Sequence, residues 1–284
     1  MDKETELTLI MRDVYERTAM MLLKGMGLWK RSREEYFNLC LRRYMLAFPN
    51  LPAAFSGKKV LFISDLHYPA RGDFHKLLLE KVRDVDYDYC FLGGDFAWGK
   101  GEFPVLVCRY LTSLVQELRH KTDKLFAVYG NHDSLFIAKH LEDLGVHVLV
   151  NEGVVIREKG AEILVSGIGE KSHQNNENWD ALIKSAHGSG VEFKVLLAHK
   201  PHHYKLAEKH GFSMMLSGHT HAGQFCLPGG IPIITNSTAP RYYCRGHWQY
   251  RSIQGITSAG AGSSRLTARL NCPGEVNLIT LIRG

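Results

Sequence analysis

The sequence predicts an α/β fold, and three observations carry that expectation. From Lys58 onward, short runs of β-branched and aromatic residues alternate with longer amphipathic stretches. Five polar loops each follow one of those apolar runs, which is where open α/β folds gather ligands. After His221 the chain turns mostly β, with many turn residues, and closes on a strand-like run at Val276–Ile282.

In chain order, residues 1–57 stand apart from residues 58–284. They lack β-branched runs and read as helix. Beyond Trp29, the residues Tyr36, Phe37, Cys40, Leu41, Tyr44, Met45 and Phe48 form one stripe at steps of four and five, until Pro49 and Pro52 stop it. Lys30, Arg31, Arg33, Arg42 and Arg43 flank the stripe, while Asp2–Arg17 is more acidic. Such an amphipathic helical extension either packs on the following domain or lies in a membrane interface; the Trp-Lys-Arg cluster at 29–31 leans toward the second. Met20, Met21 and Met26 suit both readings. Past Lys58, strands are expected at Val60–Ser64, Tyr89–Gly93, Leu125–Tyr129, Val146–Val150, Ile163–Ser166, Lys194–Ala198 and Met214–Ser217. Helices are expected at Phe74–Arg83, Val105–His120, Ser134–Leu144 and His202–Lys209.

Composition sets broad limits. A chain of 284 residues with 45% hydrophobic content can bury a sizeable core. Its net charge of +6 is mild, and fits either an anionic partner or a solvated basic face. The six cysteines form no Cys-x-x-Cys pair, which points to a reducing compartment rather than a disulfide framework. The apolar stretch Ala19–Trp29 is too short to cross a bilayer and is interrupted by Lys24. Behind an acidic start, it does not read as an export signal.

The five loops are Asp65-Leu66-His67, Gly94-Asp95, Gly130-Asn131-His132-Asp133, His199 and Gly218-His219-Thr220-His221. Carboxylates, an amide and several imidazoles together suit Mn²⁺, Fe²⁺ or Zn²⁺. A single Asp-x-His is weak evidence, since a lone histidine at a strand end is usually structural. All five in order, each after a β run, make coincidence a poor account. Two metals that share a carboxylate can activate water at neutral pH and clamp a phosphoryl group.

On these motifs, the chain from Lys58 onward resembles the calcineurin-like metallophosphoesterase superfamily. The resemblance implies a four-layer αββα sandwich with the site at the strand ends. It also implies two divalent metal ions, Mn²⁺ being expected and Fe²⁺ or Zn²⁺ the alternatives. Asp65, His67, Asp95 and His221 would hold the first ion; Asp95, Asn131, His199 and His219 would hold the second, with Asp95 bridging. His132 would act on the leaving oxygen without ligating metal. Asp133 would orient His132, cap the helix that follows, or do both.

The segments His219–Gln224, Ser258-Ala259-Gly260 and Arg269–Val276 resemble a membrane-associated branch of that superfamily. This branch includes an enzyme that hydrolyses UDP-2,3-diacylglucosamine in lipid A biosynthesis. The resemblance implies a phosphate-ester or lipid-linked nucleotide substrate, met on the cytoplasmic side, peripherally on the inner membrane. Arg71, Arg241 and Arg245, with Arg251, Arg265 and Arg269, are candidates for phosphate recognition, although each one singly is as readily a surface or packing residue. Tyr242-Tyr243 and His247-Trp248 would line an entrance or pack in the core. Tyr68-Pro69-Ala70-Arg71 and Phe96-Ala97-Trp98 depart from many relatives, which bears on the substrate rather than the metals. The alternatives are a phosphodiesterase or phosphomonoesterase on small soluble substrates, or a non-catalytic scaffold of the same fold. No nucleic acid partner is expected, since no basic-aromatic stripe is present.

Overall fold

The computed structural model describes residues 14, 16–68, 72–98, 104–170, 177–188 and 190–284. Most of Asp2–Arg17 and all of Arg71 therefore lie outside the described residues.

Two six-stranded sheets stack face to face, with helices on both outer sides. The first sheet is formed by β1 (Cys40–Phe48), β2 (Lys59–Ile63), β3 (Tyr89–Leu92), β4 (Leu125–Ala127), β5 (His147–Val148) and β14 (Glu275–Arg283), in the order β1-β14-β2-β3-β4-β5. The second is formed by β6 (Glu152–Glu158), β7 (Ala161–Gly167), β8 (Lys194–Leu197), β9 (Met214–Ser217), β12 (Gly246–Tyr250) and β13 (Ile253–Thr257), in the order β12-β13-β9-β8-β7-β6. A hairpin, β10 (Cys226–Leu227) with β11 (Ile231–Pro232), stands apart from both.

Period-2 alternation along the strands builds the layers. In β2, Val60 and Phe62 point between the sheets, where Phe91, Phe126, Val195, Leu197, Leu216 and Ile256 meet them. Leu61 and Ile63 point outward, onto Leu78 of α3 (Gly72–Arg83), Leu111 and Leu114 of α4 (Pro104–Arg119) and Leu141 of α5 (Leu135–Asp143). On the far side, Leu164, Leu196 and Met215 pack on Leu182 of α6 (Trp179–Gly188) and on Tyr204 and Ala207 of α7 (Tyr204–Lys209). The result is the expected αββα sandwich.

The N-terminal region departs from expectation. Residues 16–25 are helical (α1), and α2 covers Trp29–Phe37. The helix does not run on to Pro49, however. Cys40–Phe48 is β1, a strand parallel to β14 with Cys40 opposite Glu275 and Phe48 opposite Arg283. Tyr44 and Phe48 satisfy a period of two as well as the helical spacing, and Leu46 between them fits only the period of two. They turn toward the inter-sheet core, while Met45 is left exposed. Pairing with β14 overrides the local preference. The stretch 1–57 thus contributes a sheet strand as well as helices. Also beyond the sequence reading are β6, α6, β12 and β13. Among the described residues, no helix is long and apolar enough to cross a membrane.

Candidate metal centre

The five loops converge at the carboxyl ends of β2, β3, β4, β8 and β9. The turns that bring their side chains inward are tight. Asp65, His67, Asp95, His219 and His221 all have φ between 48° and 69°, a left-handed conformation uncommon outside glycine, which Asp and His adopt more readily than most residues. Two glycines make the approach feasible. A Cβ on Gly130 would run into the Asp95 carboxylate, and one on Gly218 into that of Asp65.

Two ligand groups result, Asp65 with His67 and His221, and Asp95 with His199 and His219, each with its ligand atoms within 4.8 Å of one another. His221 Nε2 lies 3.5 Å from Asp65 Oδ1. Asp95 Oδ2 lies 3.5 Å from His67 Nε2 and 3.3 Å from His199 Nε2, so it faces both groups at once. Metal–ligand bonds of about 2.0–2.2 Å at a tetrahedral angle separate donor atoms by roughly 3.3 Å, which these spacings match. Asn131 Oδ1 and His199 Nε2 are buried without a hydrogen-bond partner, as donor atoms prepared for a cation would be. The residues present therefore fit two divalent ions.

Neighbouring groups fix the rings. His199 Nδ1 meets Gly93 O at 2.8 Å, which turns Nε2 inward. His219 Nε2 meets Asn236 O at 3.1 Å, which turns Nδ1 inward. Ser64 Oγ donates to Asp65 Oδ2 at 2.6 Å. Burial drives His67 and His219 down to about 3 and holds His221 well below the usual range, so all three present lone pairs. Burial pushes Asp65 up to about 6. Burial opposes charge on Asp95 and His199 too, but their mutual attraction wins. Asp95 stays well below the carboxylate range, and His199 rises to about 10.

His132 stands beside the ligands rather than among them. Its ring stacks on Trp98 at 5.3 Å and meets the His67 ring edge-on at 5.3 Å, while its backbone N–H donates to Asp95 Oδ1 at 2.9 Å. Asp133 corrects the sequence reading. Its carboxylate takes two backbone N–H groups on each oxygen: Asp95 and Gly130 on Oδ2, Phe96 and Ala97 on Oδ1. It is a brace between two ligand loops; the helix N-cap position falls to Ser134. Burial pushes Asp133 up to about 7, but four donors leave no lone pair for a proton, so the ionised form is the one this loop accommodates.

The arginine candidates are mostly occupied elsewhere. Arg241 donates to Ile233 O at 3.3 Å and Arg245 to Gly230 O at 2.6 Å, both in the β10–β11 region. Arg251 pairs with Glu208. Arg269 is fully buried and donates to Ala259 O, Gly260 O, Gly262 O and Cys272 O, with His221 Nδ1 3.4 Å away. It shapes the wall behind His221 instead of meeting substrate. Trp248 and Tyr243 pack with Tyr204 in the outer core, while their neighbours Tyr242 and His247 are exposed, so the packing reading holds for one member of each pair. Ser64 and Asn236 escaped the sequence reading. Ser64 adjoins a ligand and was findable; the Asn236 contact is made by a backbone carbonyl, which residue type does not encode.

Three comparisons with known proteins bear on the family of this chain. The sequence model of the calcineurin-like phosphoesterases matches residues 58–223. Phosphodiesterase YaeI of Escherichia coli (strain K12) is 26% identical over 272 residues, which is 91% of this chain and 93% of that protein. An uncharacterized metallophosphoesterase of Helicobacter pylori (strain ATCC 700392 / 26695) is 28% identical over 234 residues; the match spans 79% of this chain and 60% of that protein. The crystal structure of TT1561 of Thermus thermophilus aligns with a TM-score of 0.47 at 14% identity, over 72% of this chain and 91% of that one. Given a family match across more than half its length, this chain belongs to the calcineurin-like phosphoesterases and is a hydrolase of phosphoric esters.

Proposed function

We propose that the chain is a phosphodiesterase whose substrate is a lipid-linked nucleotide, UDP-2,3-diacylglucosamine, cleaved at its diphosphate while the chain rests peripherally on the cytoplasmic face of a membrane. The observation that carries the lipid part is the apolar surface beside the ligand loops. Leu135 and Phe136, 48% and 58% exposed, directly follow Asn131–Asp133. Ile233 and Ile234 are exposed by more than half and lie just before Asn236, which holds His219. Exposed apolar side chains close in sequence to the ligand loops suit an acyl partner.

Asp65, His67, Asp95, Asn131, His199, His219 and His221 would hold two divalent cations, Mn²⁺ expected. Those ions would supply Lewis acidity toward phosphoryl oxygens and acidify a water near neutral pH. His132, held by Trp98 and by its own backbone bond to Asp95, would donate a proton to the leaving oxygen. Asp133 would keep the Asp95 and Asn131 loops in register.

A second reading, a phosphodiesterase of small soluble substrates, is favoured by the engagement of Arg241 and Arg245 with backbone carbonyls, which leaves fewer cations for a nucleotide diphosphate. The Mn²⁺-loaded protein should turn over UDP-2,3-diacylglucosamine at least about 100-fold faster than bis-p-nitrophenyl phosphate, a difference of about 2.7 kcal/mol in the barrier. Phe136→Ser and Ile234→Ser should lower that preference and leave turnover of the small ester unchanged. Equal, slow turnover of both substrates would establish the second reading instead.

A further inference from the structure

A second cluster of metal-ligating side chains lies outside the phosphoesterase centre. Glu177, His202 and His203 place one ligand atom each within 4.8 Å of one another. His203 Nε2 is 3.5 Å from Glu177 Oε1, and His202 Nε2 is 3.9 Å from the same oxygen. The two rings are 4.0 Å apart. Their setting is unusual for core histidines. His203 is only 1% exposed, yet among the described residues neither of its ring nitrogens has a hydrogen-bond partner. The neighbouring Trp179 indole N–H is also buried and unpartnered, with its ring 5.5 Å from that of His203. Leaving such groups unsatisfied costs about 1–3 kcal/mol each, so the arrangement calls for an occupant.

We infer that Glu177, His202 and His203 form a separate Zn²⁺ site, with two imidazoles and one carboxylate as ligands and a fourth position open to water. One carboxylate and two imidazoles are a donor set that Zn²⁺ takes readily. The 3.5 and 3.9 Å separations need to close only slightly toward the roughly 3.3 Å of a tetrahedral site with bonds near 2.0–2.1 Å. The Trp179 N–H would donate to the water in the open position.

The site would act as a fastening. Glu177 lies just before α6, and His202–His203 lie in the single 3-10 turn Pro201–His203, shortly after the ligand His199. A bound ion would tie the β7–α6 connection to the β8–α7 connection at the edge of the catalytic centre. Lys200 already spans the same gap by an ion pair with the buried Glu170 at 2.6 Å.

Metal counting tests the site without reference to turnover. Wild type, Glu177→Gln and His202→Ala would be loaded with Zn²⁺, passed through metal-free buffer and measured by mass spectrometry of the metal. Each variant should retain one Zn²⁺ equivalent per chain less than wild type, with unchanged circular dichroism. Co²⁺ in place of Zn²⁺ should give a visible band of tetrahedral type that both variants diminish. Glu177 and His202 are partly exposed, so these changes spare the core; His203→Ala serves as a third variant. Equal metal content in wild type and in both exposed-position variants overturns the site. Because the readout is a difference between chains that share all seven phosphoesterase ligands, it stands whatever substrate that centre takes.

Discussion

At the scale of single residues, the centre depends on Asp95 and Asp133 in different ways. Asp95 faces both ligand groups, so Asp95→Ala should remove bound metal and activity together, as metal analysis and turnover would show. His132 belongs to neither ligand group. His132→Asn should keep the full metal content while the rate falls by about 10²–10⁴, the usual worth of a general acid; loss of metal would refute that role. Asp133→Asn would place an amide N–H₂ against two backbone donors. It should lower stability by about 3 kcal/mol, the cost of breaking buried charged hydrogen bonds, measured by denaturant unfolding of the metal-free protein. The convergence of the candidate ligands was legible from sequence because each loop follows a β run and carries a chemically specific residue. The work of Asp133 was not, because its partners are backbone amides brought together by two separate strands. Arg269 was misleading for a related reason. An arginine reads as a phosphate ligand, and only burial reveals that its N–H groups are spent on loop carbonyls.

Among the elements, β1 is the one the sequence concealed. Its Tyr44 and Phe48 fit helical and strand periods equally, and the strand forms only because β14 offers a partner edge from the far end of the chain. Residues 1–57 are therefore not a detachable extension. Removing them would strip β14 of a neighbour along its whole length and take Leu46, Phe48 and Phe55 out of the core. A chain lacking residues 1–57 should be insoluble or unfolded, while one lacking only residues 1–28 should fold and keep its metals; solubility and metal content separate the two. Phe48→Ala, within β1, should cost about 3–5 kcal/mol in unfolding free energy, since its ring packs edge-on against Phe193, just before β8 of the other sheet. The central parallel strands were easily read, because burial on both faces makes them continuously apolar. The outer β6 and β12 carry polar residues on their open faces and gave a weaker signal.

For the molecule as a whole, two sheets direct five loops to one end. Five metal ligands are held in left-handed backbone conformations there, and rigid strands on both sides maintain them. Bound cations should repay much of that strain. Stripping the metals with a chelator should lower the melting temperature by roughly 5–10 °C, given about 2.7 kcal/mol of linkage at a hundredfold excess over Kd. No change on stripping would mean that the loops are held without help from ions. The stacking of the two sheets was visible only through resemblance to a family, because periodicity gives a strand's faces but not which sheet it joins. The pairing of Cys40 with Glu275 has one more consequence, for the chain as it is being made. During translation β1 emerges early and must wait, unpartnered, until β14 has left the ribosome as well. The first sheet is thus sealed last, and a nascent chain stalled before β14 would present a sticky apolar strand that chaperones should recognise.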